Sequence, residues 1–249
     1  MVGMVSVVAL MLALLLAALE VGFRAGRSRR KEDRDKSYLG TVQGGVLGLL
    51  GLLLGFSFAG AATRFVERQD LIVQQANALG TAYLRADMLG EPSRSALRQG
   101  LRDYTDAAIN LFKEGGSTLT PAQLTSLESR HAPIWSAAVE GVRADPVIGV
   151  LVLPPVNEVI DLFSVRVASA RRHLPPMVLG LLLACALIAL FTVGYGAGLT
   201  NQRHLLMTLT LAVLVSTALA TTLDLDYPRR GVITLSDAPL IDARRGMGE

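Results

Sequence analysis

Apolar and polar positions divide this chain into four long uncharged runs and one long mixed stretch. The runs begin near Val2, Leu39, Met177 and Leu205, and each reaches the roughly 18 to 25 residues that a helix needs to cross a hydrocarbon core. Two lie before the mixed stretch and two after it. The pattern therefore predicts an all-α, polytopic membrane protein with four transmembrane helices in two pairs, flanking an extramembrane helical domain. The expected boundaries are 1–63 for the first pair with its basic connecting loop, 64–175 for the helical domain, 176–223 for the second pair and 224–249 for a C-terminal tail.

Within the mixed stretch the period is helical. Phe65, Ile72, Ala76, Leu79, Tyr83 and Ala86 continue the second run as one apolar seam. Leu97, Leu101, Tyr104, Ala108 and Leu111 form another, opened by Glu91-Pro92 and closed by Gly115-Gly116-Ser117. Thr120-Pro121-Ala122-Gln123 is a capping box, and it opens a helix with Leu124, Leu127, His131, Ile134 and Ala138 on one face and a kink at Pro133. Asp145-Pro146 and Pro154-Pro155 are expected to punctuate the entry to a last helix from Val156 to His173. The one extended segment predicted runs from Gly231 to Ser236.

Composition agrees with this pattern. The hydrophobic fraction of 51% and the mean hydropathy of +0.44 exceed those of a soluble domain because of the four runs. A net charge of +3, with basic residues dispersed among acids, argues against nucleic acid as a partner. The sole cysteine, Cys185, lies inside the third run, which rules out an intramolecular disulfide and a thiolate metal cluster. His131, His173 and His204 lack metal-site spacing, and no nucleophile stands near a base at readable spacing. No cofactor, metal or enzymatic activity is expected.

The first run has no basic leader and no convincing cleavage site, and Arg24, Arg27, Arg29, Arg30, Lys31, Arg34 and Lys36 follow it, so it reads as a retained anchor. By the positive-inside rule this short Arg24–Lys36 loop is cytoplasmic. The turn Asn201-Gln202-Arg203-His204 then also faces inward, and both termini and the helical domain face outward. Cations also flank the other side, at Arg64, Arg68, Arg166, Arg171, Arg172, Arg229 and Arg230, but long domains translocate despite charge.

Candidate functional residues follow from the runs. Thr41, Gly44, Gly48, Gly51, Gly55, Ala59 and Ala62 draw a stripe of small residues down the second run. That stripe serves either ordinary helix packing or a subunit or pore interface, with Phe56 and Phe58 forming a hydrophobic constriction that gates by dewetting. No run carries a central charge, which favours passive permeation or no transport over ion-coupled transport. Arg64 and Arg68 are either an anion-attracting mouth or interfacial anchors. Asn77, Arg85, Asn157, Asp161 and Arg166 are candidates for a polar seam between helices, and Asn157 and Asp161, one turn apart, for a cap, a pair or a vestibule lining. Asp224 and Asp226, placed just beyond the fourth run, are weak candidates for a cation site or partners of Arg229 and Arg230.

The stretches Arg64-Phe65-Val66-Glu67-Arg68-Gln69 and Gln75-Ala76-Asn77-Ala78-Leu79-Gly80-Thr81-Ala82-Tyr83-Leu84-Arg85 resemble the bacterial bestrophin-like membrane family. Pro155-Val156-Asn157-Glu158-Val159-Ile160-Asp161 with Arg166, the Pro-led third run, and Asp224-Leu225-Asp226-Tyr227-Pro228 with Gly231 extend the likeness. Gln75 departs from it, standing where family members often carry an acid. The more distant similarity to true bestrophins implies a homo-oligomer, possibly a pentamer, in the bacterial inner membrane that passes inorganic anions such as chloride through a pore lined by the second helix. In bestrophins the helical domain is cytoplasmic, opposite to the orientation that the short loop favours. The alternative is a non-transporting membrane scaffold or envelope sensor that acts through its helical domain.

Overall fold

The computed structural model describes residues 2–29, 36–114, 120–229 and 231–248, and among these it contains helices and no strands. The α-helices are α1 (Val2–Ser28), α2 (Lys36–Arg85), α3 (Ser93–Glu114), α4 (Pro121–Glu128), α5 (His131–Val142), α6 (Pro146–Ala170), α7 (Pro176–Thr200), α8 (Leu205–Asp226) and α9 (Ala238–Gly246), with a 3₁₀ turn at Ala86–Met88. At 1.5 Å per residue the 50 residues of α2 extend about 75 Å, more than twice a hydrocarbon core. The second apolar run and the seam that follows it are thus one uninterrupted helix.

The helices fall into two compact units, one of residues 1–63 and 173–233, the other of residues 64–172 and 234–249. The first holds α1, the N-terminal part of α2, α7 and α8 around Leu15, Leu50, Leu182, Ala186, Leu190, Ala212 and Leu219. Helices α1 and α7 run side by side in the same direction, with a glycine seam between them. A β-carbon on Gly194 or Gly198 would collide with the carbonyl oxygen of Leu19 or Phe23, and one on Gly22 or Gly26 with that of Phe191 or Tyr195. Two GxxxG repeats face each other here, bringing backbones close where lipid provides no hydrophobic drive for association. Gln43 of α2 donates its amide to the Thr192 carbonyl of α7, and Asn201, left-handed at φ 52°, closes α7 before the turn into α8.

The second unit packs the C-terminal part of α2 with α3, α4, α5, α6 and α9 around Ile72, Leu79, Leu97, Leu101, Tyr104, Ile134, Val156 and Phe163. Its tail is anchored by buried Leu240 and Met247, and Arg244 pairs with Asp106 of α3 at 2.9 Å.

Several local expectations are corrected, and one is widened: among the described residues one helix besides the four expected spans is by length and composition also able to cross a membrane, α6. That helix starts at Pro146 rather than Val156 and keeps Pro154 and Pro155 inside it. Asp145 opens it by accepting a hydrogen bond from the Val147 amide at 3.1 Å. The helix expected to kink at Pro133 is instead broken into α4 and α5 around Ser129 and Arg130. Proline at 133 has no amide with which to bond the carbonyl four residues back, so the ladder fails there and Pro133 settles in the first turn of α5, where no donor is needed. The Thr120–Gln123 capping box is present as predicted. Residues 231–236 form bends and coil, not a strand, because the Val232 and Ile233 amides are taken by a side chain. Arg24 and Arg27, expected in a loop, belong to α1. Arg30, Lys31, Arg34, the Gly115-Gly116-Ser117 stop and Arg230 lie outside the described residues.

Candidate functional site

Among the described residues nothing covers the glycines on the small-residue face of α2. A β-carbon on Gly44, Gly48, Gly51 or Gly55 would meet no atom within 4 Å, in contrast to the glycines of the α1–α7 seam. Phe56 and Phe58 flank this face and are 69% and 43% exposed. The opposite face of the same helix buries Leu50, Ser57 and Ala61. In this segment, therefore, α2 leaves its glycines outside together with Leu49, Leu52, Phe56 and Phe58.

In the second unit three polar side chains of α2 stitch it to α6, which runs antiparallel beside it. Buried Arg68 donates from Nε to the Ser169 carbonyl at 3.3 Å and from Nη2 to the Arg172 carbonyl. It places a cation at the C-terminal end of α6, where free carbonyls and the helix dipole favour one. Two turns along α2, Gln75 donates from Nε2 to the Tyr104 hydroxyl at 2.8 Å, while its Oε1 accepts from Arg166 Nη1 of α6. Gln75 and Tyr104 are fully buried and Arg166 nearly so. Burial pushes the Tyr104 hydroxyl well above its ordinary range, against the opposing pull of the Arg166 charge and the Gln75 hydrogen bond. Farther on, Arg85 donates from Nη1 to the Leu151 carbonyl at 2.6 Å. In a regular helix that carbonyl would accept from residue 155, which is proline and has no amide hydrogen. Arg85 supplies the missing donor to this one of the two carbonyls that the proline pair frees.

The expected polar seam is thus distributed over separate places. Arg85 and Arg166 both join α2 to α6 but at different heights. Asn157 donates to Asp161 at 2.6 Å on the exposed side of α6, and Asn77 is exposed. Arg64 is half-buried one residue into the second unit.

Asp224 and Asp226 lie in the last turn of α8, not beyond it. Both bind backbone. The Asp224 carboxylate accepts from Val232 at 3.0 Å and Ile233 at 2.9 Å, folding the following segment back on the helix end. Gly231 is required there, since a β-carbon would overlap the Asp224 carboxylate. The fully buried Asp226 carboxylate accepts from the Leu174 amide at 2.9 Å. His173 adds a 3.0 Å contact from Nδ1 to the Asp226 carbonyl and stacks on Tyr227 at 4.2 Å between ring centroids. These aspartates have the geometry of loop clamps. Among the described residues no group of three or more His, Cys, Asp or Glu converges to hold a metal ion.

Sequence reasoning passed over Gly22, Gly26, Gly194 and Gly198, although their four-residue spacing was readable, and Tyr104 as partner of Gln75, which no local signal marks.

The sequence matches the family model of the Bestrophin-like domain over residues 7–240. Among solved structures, one of a bacterial bestrophin homologue from Klebsiella pneumoniae superposes with a TM-score of 0.70 at 14% identity, covering 98% of this chain and 96% of that one. A single-substitution variant of that homologue gives 0.69 at 15% identity, with 97% of each chain covered. At such identities the likeness is one of fold. No curated protein matches the sequence.

Proposed function

The chain belongs to the bestrophin-like family, and we propose that it assembles into a ring in the bacterial inner membrane and conducts anions passively. Its four spans are α1, the N-terminal part of α2, α7 and α8. Helix α6 stays outside the membrane, because it contributes to the core of the polar unit and carries buried Arg166. The carrying observation is the uncovered glycine face of α2, flanked by exposed Phe56 and Phe58. Turned toward a ring axis, that face leaves a lumen with phenylalanine at its narrowest point, a hydrophobic constriction of the kind that gates by dewetting.

Arg64 and Arg68 lie in α2 just past its membrane-spanning part and give the mouth its anion preference, Arg68 while it holds the end of α6. Exposed Glu67 and Asp70 on the same helix oppose that field, so the preference is modest and falls with ionic strength. Five subunits and chloride are the ring size and ion that the bestrophin resemblance suggests. The basic stretch of residues 24–36 faces the cytoplasm, and a C-terminal reporter active only in the cytoplasm would reverse that assignment.

The first test is the oligomer mass in lipid nanodiscs, followed by chloride flux from vesicles. A closed ring whose flux drops on Arg64→Glu supports the channel. A monomer or dimer, or a ring whose flux ignores both Arg64→Glu and Arg68→Glu, favours a scaffold or sensor. That second reading has its own support in Val147 and Val150 of α6, 75% and 73% exposed on the helical unit.

A further inference from the structure

His131, at the start of α5, sits between two aromatic rings from different helices. Its ring centroid is 5.3 Å from that of Tyr104 on α3 and 5.1 Å from that of Phe163 on α6, the latter edge to face at 73°. Among the described residues its buried Nε2 atom has no hydrogen-bond partner. Such an atom is tolerable in a cage of carbon as the bare nitrogen of a neutral imidazole, whose proton then resides on Nδ1. A second proton would place an N–H and a full charge in that cage with no acceptor, at a cost well beyond that of the neutral ring.

The charged and titratable surroundings reinforce this. From α3 the cage presents Tyr104, a neutral phenol. From α6, one turn beyond Phe163, buried Arg166 reaches Gln75, which in turn holds Tyr104, so a cation already occupies the adjoining network. From α4 comes Glu128, whose charge alone favours an imidazolium. Burial outweighs Glu128 and holds the His131 pKa below its ordinary 6.5.

We propose that His131 is an acid-responsive latch of the helical unit: as a neutral imidazole it holds α5 against α3 and α6, and on taking a second proton it releases the α4–α5 pair. The position suits a latch. Helix α5 presses Ile134 so closely on α3 that a β-carbon at Gly100 would stand 3.0 Å from it, yet α4 and α5 are short, 8 and 12 residues, and depend on such packing to stay helical. Because the folded-state pKa lies below the unfolded one, the contribution of His131 is complete above the ordinary imidazole pKa and is lost as pH falls below it. The idea does not depend on conduction, and it would govern whatever the helical unit does.

Hydrogen exchange on the full-length protein in nanodiscs tests it, at about pH 7.5 and about pH 5.5, on either side of the ordinary imidazole range, with intrinsic rates corrected. Amides of 121–142 should lose protection on acidification, by at most about tenfold per pH unit, the ceiling for one proton. His131→Phe fills the cage without titrating, and it should abolish that loss. Equal loss in wild type and His131→Phe, or none in wild type, overturns the proposal. Should the variant not fold, a nuclear magnetic resonance titration of the wild-type histidines decides instead. A His131 signal titrating at or above the ordinary value overturns the latch, and one titrating below it together with the loss of α5 protection supports it.

Discussion

Replacing Gly194 with alanine adds one methyl group to α7, and the structure places that methyl against the Leu19 carbonyl of α1, much closer than real side-chain carbons ever stand. The neighbour is backbone, which cannot swing aside, so the two helices must part. Parting them thins the whole seam, since Gly22, Gly26 and Gly198 make the same kind of contact, and a gap of only 0.5 to 1 Å forfeits roughly a quarter to a half of each dispersion contact. Overpacking of this kind costs about 1–3 kcal/mol, while alanine returns up to about 1 kcal/mol of helix propensity. With the full propensity gain the net expectation is a loss of about 0–2 kcal/mol, and about 1–3 kcal/mol relative to a helix alanine that meets nothing. Gly48→Ala supplies the control, because its methyl meets nothing within 4 Å and the propensity gain, at most about 1 kcal/mol, stands alone in the isolated protomer. Denaturant unfolding in bicelles, followed by the near-ultraviolet signal of the spans, reads both differences. If Gly194→Ala is as stable as Gly48→Ala, the α1–α7 seam is not packed as described. If Gly48→Ala destabilises the assembled protein but not the dissociated protomer, a second subunit covers the α2 face.

Other perturbations separate the roles of the polar ties. Arg85→Met should cost about 0.5–1.5 kcal/mol by removing a donor from the Leu151 carbonyl, and much less in a Pro155→Ala background, where an amide returns. A coupling energy near zero in that double-mutant cycle would break the link between the arginine and the proline. Arg68→Met should cost about 1.5–3 kcal/mol, the range for hydrogen bonds to a charged group, with fraying of the α6 end visible as faster exchange of its last-turn amides; unchanged exchange would contradict the capping role. Asp224→Ala should expose the Val232 and Ile233 amides to rapid exchange while leaving flux through an assembled ring unaltered. A flux change with both amides still protected would instead favour an ionic role for this carboxylate.

The membrane character and all-helical class were legible because uncharged runs of membrane length and a helical period are properties of the chain alone. The Thr120–Gln123 cap was legible for the same reason, its two partners being three residues apart. What failed depended on partners distant in sequence. Pro154 and Pro155 read as a helix boundary, because nothing local announces that Arg85, 66 positions away, will donate to the freed carbonyl. Gly231–Ser236 read as a short extended segment, because the pattern of apolar positions ignores Asp224, which claims the Val232 and Ile233 amides. Arg68 read as either a mouth cation or an interfacial anchor, and nothing local announced that it also serves carbonyls 101 and 104 positions away. The glycine stripe of α2 was conspicuous, yet the glycines that touch backbone within the chain are those of α1 and α7. Spacing identifies a face that permits close approach, and only the fold reveals whether the chain itself uses it.

The three ties between α2 and α6 explain why this pair needs polar groups at all. Apolar seams tolerate sliding by a turn, since one branched aliphatic side chain can replace another at modest cost. The ties do not. Arg68 fits only where α6 ends in free carbonyls, Gln75 only where Arg166 offers a donor and Tyr104 an acceptor, and Arg85 only where proline has freed a carbonyl. A shift by one turn would break all three at once, and the groups buried at Arg68, Gln75 and Arg166 would go unsatisfied at about 1–3 kcal/mol each and more where charged. The register of a 50-residue helix is thereby fixed at three heights along its C-terminal part, and replacing Gln75 with leucine should loosen it, because Arg166 then loses an acceptor inside the core.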